Sequence, residues 1–168
     1  MKVLVPLPDR DFDTTEVAVP WKLLRDAGHE VVFATEAGAT PACDPLLITG
    51  VVFGKLGARP EPIAFYREME QAPEFTAPRK WSDCRAADFD ALFLAGGHAP
   101  GMKQYLGSEQ VFAVIRAFFA TDKPIAAICH GVLAAARTKR DDGQSVLHGV
   151  RTTCLPKYME RAAFFSTF

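Results

Sequence analysis

Residues Lys123 to Ala136 read KPIAAICHGVLAAA: a short apolar run, then Cys129-His130-Gly131, then a second apolar run made mostly of alanine. The first run has the length and apolarity of a buried strand, and the second has the small residues of a helix that packs closely. Almost no loop separates them. The same alternation recurs upstream. KVLVPL opens the chain as a strand, and DTTEVAVPWKLLRDAGHE follows as a helix with Asp13 or Thr14 as its N-cap and Gly28 as its terminator. EVVFAT (Glu30 to Thr35) is a second strand, FDALFLAGG a third that runs into a glycine turn, and SEQVFAVIRAFFATD an amphipathic helix capped by Ser108. Strands that are apolar throughout and alternate with helices imply a mainly parallel sheet covered on both faces, an α/β three-layer sandwich.

The rest of the chain is less regular. Pro20 inside the first helical pattern predicts a kink, or a helix whose first turns lie near it. Residues 36–87 are punctuated by prolines, with a helix expected at about Ala64 to Gln71, and Phe53, Phe65, Tyr66 and Trp81 in this elaborated connection require burial. SVLHGVRTT predicts a hairpin or two short strands, and LPKYMERAAFFSTF the start of another helix. The chain stops within that pattern, which predicts a fold lacking C-terminal elements or an edge covered by oligomerisation, with a homodimer expected.

Composition excludes several classes. The 168 residues are 49% hydrophobic and 23% charged, enough for one domain (1–168) with a real core. With 19 Lys+Arg against 20 Asp+Glu and no charge run, neither nucleic acid nor an anionic membrane is an expected partner. The N-terminus lacks a signal-peptide core, and no apolar run approaches the roughly 20 residues of a membrane span, so a cytoplasmic location is expected. Cys43, Cys84, Cys129 and Cys154 occur singly, without CxxC pairs, and read as reduced thiols. His29, His98, His130 and His148 show no metal-binding spacing, and no phosphate-binding glycine motif occurs, so neither metal nor cofactor is expected.

Ligands of a parallel α/β sheet bind beyond the carboxyl ends of its strands. Three unusual stretches fall there: PLPDRDFDTTE, AGGHAPGM and ICHG. A cysteine where a strand gives way at once to a helix has the setting of a nucleophile elbow. The helix N-terminal amides there favour thiolate, so a lowered Cys129 pKa is expected. The remaining cysteines have no elbow around them and read as structural thiols; Trp21 and Tyr158 read as core, with the pocket wall as the alternative for either.

AICHG after one strand, LAGGHAPGM after another, and Glu16 followed four residues later by Pro20 resemble the ThiJ/PfpI superfamily, with its flavodoxin-like, class I glutamine amidotransferase-like fold. The GGH form is more similar to the heat-shock chaperone and glutathione-independent glyoxalase branch. The resemblance implies that Cys129 is the nucleophile, that Glu16 approaches its sulfur as a proton donor or acceptor, and that His130 is a general base or part of the pocket wall. Backbone amides of Gly97, His98 and His130 are implied as an oxyanion hole. Where related members carry an acid oriented to the histidine, this chain has Lys157, with Glu160 nearby and Tyr158 between them, and these three are the candidates for a third member or pocket residue. Glu160 substitutes, or the third member is absent; the second is preferred, and it counts against efficient peptide hydrolysis. The implied activity is addition of a cysteine to a carbonyl substrate, with a reactive 2-oxoaldehyde ahead of amidase or amidotransferase-like hydrolysis. A holdase chaperone or a cysteine redox sensor is the alternative of another class.

Overall fold

The computed structural model describes residues 1–50, 57–153 and Tyr158. Its elements, in chain order, are β1 (Lys2–Pro6), β2 (Arg10–Phe12), α1 (Thr14–Asp26), β3 (Glu30–Thr35), β4 (Ala42–Cys43) and α2 (Pro45–Thr49). Next come α3 (Pro60–Met69), α4 (Pro73–Thr76), β5 (Arg79–Lys80), β6 (Ala91–Leu94), α5 (Met102–Leu106), α6 (Glu109–Phe119), β7 (Ile125–Ala127) and α7 (His130–Arg137). Five strands form one sheet in the order β5-β3-β1-β6-β7, and every neighbouring pair in it is parallel. β2 and β4 form a separate parallel pair.

β1 is central because Val3, Leu4 and Val5 are buried on both faces, as an internal parallel strand requires. Helix α1 presents Val17, Ala18 and Trp21 inward and packs against β3 and α3, while α6 and α7 pack against β6. Asp13, not Thr14, caps α1; Thr14 is its first helical and fully buried residue. The helix passes through Pro20 without a break. Its buried face holds it together although Pro20 has no N–H to donate to the carbonyl four residues back.

The connection from 36 to 87 is built into the core. Phe33, Tyr66 and Phe75 meet edge to face, with the Phe33 and Phe75 centroids 5.3 Å apart, and Phe12 packs on Tyr66 and Phe75 at 6.1 and 6.2 Å. Trp81 is buried and its indole N–H donates to the Ala34 carbonyl at 2.9 Å. The helix expected at Ala64 to Gln71 begins earlier, at Pro60, because proline suits a first helical turn. β5 was not anticipated: two exposed charged residues carry no strand signal, and only their pairing with Ala34 and Thr35 makes them one.

One expectation fails. Val146 to Gly149 forms turns and Val150 to Thr153 is irregular, and among the described residues one antiparallel bridge, Lys139 to Ser145, stands in place of a hairpin. Gly149 at φ 79° and the local bonds His148 N–H to Ser145 and Val150 N–H to Leu147 turn the chain back on itself, while Val146 N–H donates to the Thr138 carbonyl. Phe53, Cys154 and the helix expected from Leu155 onward lie outside the described residues, apart from Tyr158. Among the described residues no helix is long and apolar enough to cross a membrane.

Phe75 touches three aromatic rings, so Phe75→Ala is expected to cost about 3–5 kcal/mol of stability in urea unfolding. Leu23→Ala, at an exposed position of α1, should stay within about 0.5 kcal/mol. Equal losses would mean that the aromatic cluster is not part of the cooperative core.

Candidate active site

The chain leaves β7 at Ala127 and enters α7 at His130, with two residues to reverse direction. Ile128 N–H still bonds the Leu94 carbonyl as a strand residue would, at 3.0 Å, while Gly131 N–H already bonds the Ile128 carbonyl at 2.8 Å. Between them Cys129 is forced to φ 52° and ψ −127°, a conformation that costs a side-chain-bearing residue about 1–3 kcal/mol. The turn is possible because Gly131 has no side chain: an added Cβ would lie 2.1 Å from the Leu94 carbonyl oxygen. This is the elbow geometry, with Cys129 exposed at the carboxyl end of the sheet.

The turn after β6 brings the other groups in. A Cβ on Gly96 would sit 2.6 Å from the His130 amide nitrogen, 2.8 Å from Glu16 Oε2 and 2.9 Å from Cys129 Cβ. One bare glycine therefore stands at the junction of three elements. Its N–H donates to Glu16 Oε2 at 2.9 Å, and its carbonyl accepts from Asp13 N–H at 2.9 Å. Glu16 Oε2 and the Cys129 side chain therefore lie beside one another across Gly96, and the backbone amides of His130 and Gly97 favour the thiolate. His130 Nδ1 lies 3.4 Å from Cys129 Sγ. His98 is exposed, close enough for its charge to act on Glu16.

The electrostatics differ from the expected lowering of the thiol pKa. Although Cys129 as a residue is exposed, its thiol is partly withdrawn from water, and this, followed by the charge of Glu16, pushes it up to about 11. The amides of His130 and Gly97 act in the opposite direction and are outweighed. Glu16 is itself raised, first by burial and second by the charge of Asp13, against the neighbouring Cys129, the hydrogen bond from Gly96 N–H and the charge of His98. The ionised Glu16 thus disfavours the thiolate, whereas Cys129 favours the Glu16 carboxylate.

The structure brings Glu16, Gly97, Cys129 and His130 together, with His98 at the margin. Lys157 and Glu160 lie outside the described residues, and Tyr158, expected in the core, is 72% exposed. Trp21, Cys43 and Cys84 are buried as expected. Among the described residues no cluster of three or more His, Cys, Asp or Glu side chains is placed to hold a metal. A cavity of about 480 Å³ beside α6, lined by Arg116, Phe119, Arg140 and Val146 among others, contains none of the Cys129 cluster. Sequence reasoning missed Gly96 as the junction and Asp13 as more than a cap; the Asp13-Thr-Thr-Glu16 spacing was the available signal.

A parallel α/β fold with a cysteine at a strand-to-helix elbow, a glutamate on its sulfur and inward-facing amides defines the class. The sequence matches the profile described as ThiJ/PfpI family-like over residues 7–168, and the chain belongs to the DJ-1/ThiJ/PfpI superfamily. It is 30% identical to a deglycase of Pyrococcus abyssi over 93% of this chain and 73% of that one. It is 26% identical to a glutathione-independent glyoxalase of Schizosaccharomyces pombe over 85% of this chain and 59% of that one. The crystal structure of the 24 kDa rapid encystment protein of Francisella tularensis superposes with a TM-score of 0.70 at 17% identity, covering 99% of this chain and 75% of that one. The chain spans 62% of the length of two further relatives, an uncharacterised Schizosaccharomyces pombe protein and a general stress protein of Bacillus subtilis.

Two outcomes test this geometry. Cys129→Gly relieves the backbone conformation that Cys129→Ala retains, so the glycine variant is expected to be the more stable by about 1 kcal/mol in urea unfolding. Equal stability would show a relaxed turn. For Glu16, whose pKa is raised above its ordinary 4.5, folded and unfolded chains are both protonated well below that value and pH has no effect. Between 4.5 and the raised value the unfolded chain ionises first, and stability falls as pH rises; above it the cost is constant. Glu16→Gln should therefore be more stable than the parent chain at about pH 7, with the advantage vanishing towards about pH 4.

Proposed function

We propose that the chain carries a cysteine-dependent activity on reactive carbonyl compounds, with a 2-oxoaldehyde as the substrate class and no cofactor. The observation that carries this reading is the Cys129 thiol at the elbow with the Glu16 carboxyl beside it across Gly96. A protonated thiol beside a carboxyl group is suited to a reaction in which sulfur attacks as its proton leaves. As Sγ adds to the aldehyde carbon, the ionised Glu16 accepts the thiol proton and passes it to the carbonyl oxygen, which becomes a hydroxyl and gives a hemithioacetal with Glu16 again ionised. The negative charge developing on that oxygen is stabilised by the amides of Gly97 and His130, with His98 at the rim of the site.

The hydrogen on the former aldehyde carbon then leaves as a proton to Glu16 or His130, the electron pair forms an enediol, and a proton returns to the neighbouring carbon. The product is a thioester of a 2-hydroxy acid. Water hydrolyses it, releasing the acid and restoring the thiol. No electron leaves the system: one carbon is oxidised and its neighbour reduced, and water supplies the balance. The names of the deglycase and glyoxalase relatives support the same substrate chemistry.

A second reading rests on His130 Nδ1 at 3.4 Å from the sulfur, a Cys-His contact that suits an amide substrate, thioester formation and release of an amine. Methylglyoxal and a chromogenic amide separate the two. The expected result is conversion of methylglyoxal to lactate, abolished in Cys129→Ala and slowed about 10²–10⁴-fold in Glu16→Gln. In D₂O the lactate should carry deuterium at C2, the mark of an enediol that exchanges with solvent. Amide cleavage alone would favour the second reading, and turnover that survives Cys129→Ala would overturn both.

A further inference from the structure

The start of α1 departs from an ordinary capping box. In that motif the N-cap side chain bonds the N3 amide, and the N3 glutamate reaches back to the N-cap amide. Asp13 and Glu16 occupy these positions. Asp13 Oδ1 accepts from Thr15 N–H at 2.8 Å and from Glu16 N–H at 3.0 Å, which is the first half of the box. The second half is open: Asp13 N–H donates to the Gly96 carbonyl, and Glu16 Oε2 accepts from Gly96 N–H, each at 2.9 Å. The backbone of Gly96 is inserted where the reciprocal bond would run. A closed ring of three residues results, Asp13 to Gly96 to Glu16 and back, and its glutamate faces the Cys129 sulfur.

Taking Cys129 and Glu16 as the reacting pair, we infer that Asp13 is a positioning residue for them: its side chain sets the start of α1 so that Glu16 reaches across Gly96 towards Cys129. Its carboxylate, held at the Glu16 amide, also places a negative charge beside that glutamate. Other groups face Glu16 from each neighbouring element. Cys129 does so from the elbow and His98 from the turn after β6, while His130 Nδ1 lies 3.4 Å from the sulfur. The carboxylate of Asp11, in β2, accepts from Gly101 N–H at 2.7 Å. Among these neighbours Asp13 is the carboxylate whose charge opposes ionisation of Glu16, second only to burial.

The test is alkylation of Cys129 by iodoacetamide as a function of pH, followed by peptide mass mapping so that Cys43 and Cys84 are counted separately. Asparagine caps a helix as well as aspartate does but carries no charge. Asp13→Asn is therefore expected to keep the maximal rate and to move the acid limb of the profile to lower pH, by about half a pH unit. Asp13→Ala removes the cap as well, and the rate should fall at every pH. Rescue of rate by asparagine but not alanine, with the shifted limb, supports the assignment. An Asp13→Asn profile that superimposes on the parent overturns it, provided that Glu16→Gln changes the profile. If Glu16→Gln also superimposes, the reading of the Glu16-Cys129 pair is what fails.

Discussion

Helix α7 lies directly on the end of β6. At Gly131 the helix backbone comes so close to the Leu94 carbonyl that no Cβ can stand between them, and everything distinctive about this molecule follows from that contact. With the helix pressed against the strand there is no length for a loop, so the residue before the helix must turn sharply. Cys129 takes that turn at φ 52° and projects from the sheet edge instead of packing into it. The conformational cost is held by the surrounding parallel sheet, in which β6 pairs with β1 at Ala91 and Leu92 and with β7 from Leu92 to Leu94.

A second bare glycine completes the constraint. Gly96 lies against the His130 amide, the Glu16 carboxyl and Cys129 at once, so α1 and α7 meet across one residue of the β6 turn. The proximity explains the electrostatics. Partial loss of solvent raises both groups, the charge of Glu16 raises the thiol further, and the amides of His130 and Gly97 are insufficient to reverse this.

Much of this was legible in the residues themselves. The alternation of apolar runs with helical patterns is a local signal, and it led to the parallel sheet and to the placement of three motifs at one edge. Asp13 and Ser108 as caps, the burial of Tyr66 and Trp81, and the strands beginning at Lys2 and Glu30 follow from short-range chemistry. The errors have a common origin. β5 exists only because Arg79 and Lys80 find β3 beside them, and the hairpin expected after Ser145 is absent because the chain turns at His148 to Val150 while Val146 and His148 bond Thr138 and Arg140 outside the segment.

The sequence by itself determined the fold class and the identity of the exposed cysteine, because a strand, a cysteine and a helix in immediate succession leave the chain one sharp turn to make. It also indicated which residues could gather there. Only the tertiary structure decided how they meet: that Glu16 bonds Gly96 in place of its own helix end, that Asp13 stands behind it, and that the thiol pKa rises. A pKa is set by charge and solvent within a few ångströms, and residues 16, 96 and 129 acquire those neighbours only when three segments far apart in the chain are folded onto one sheet edge.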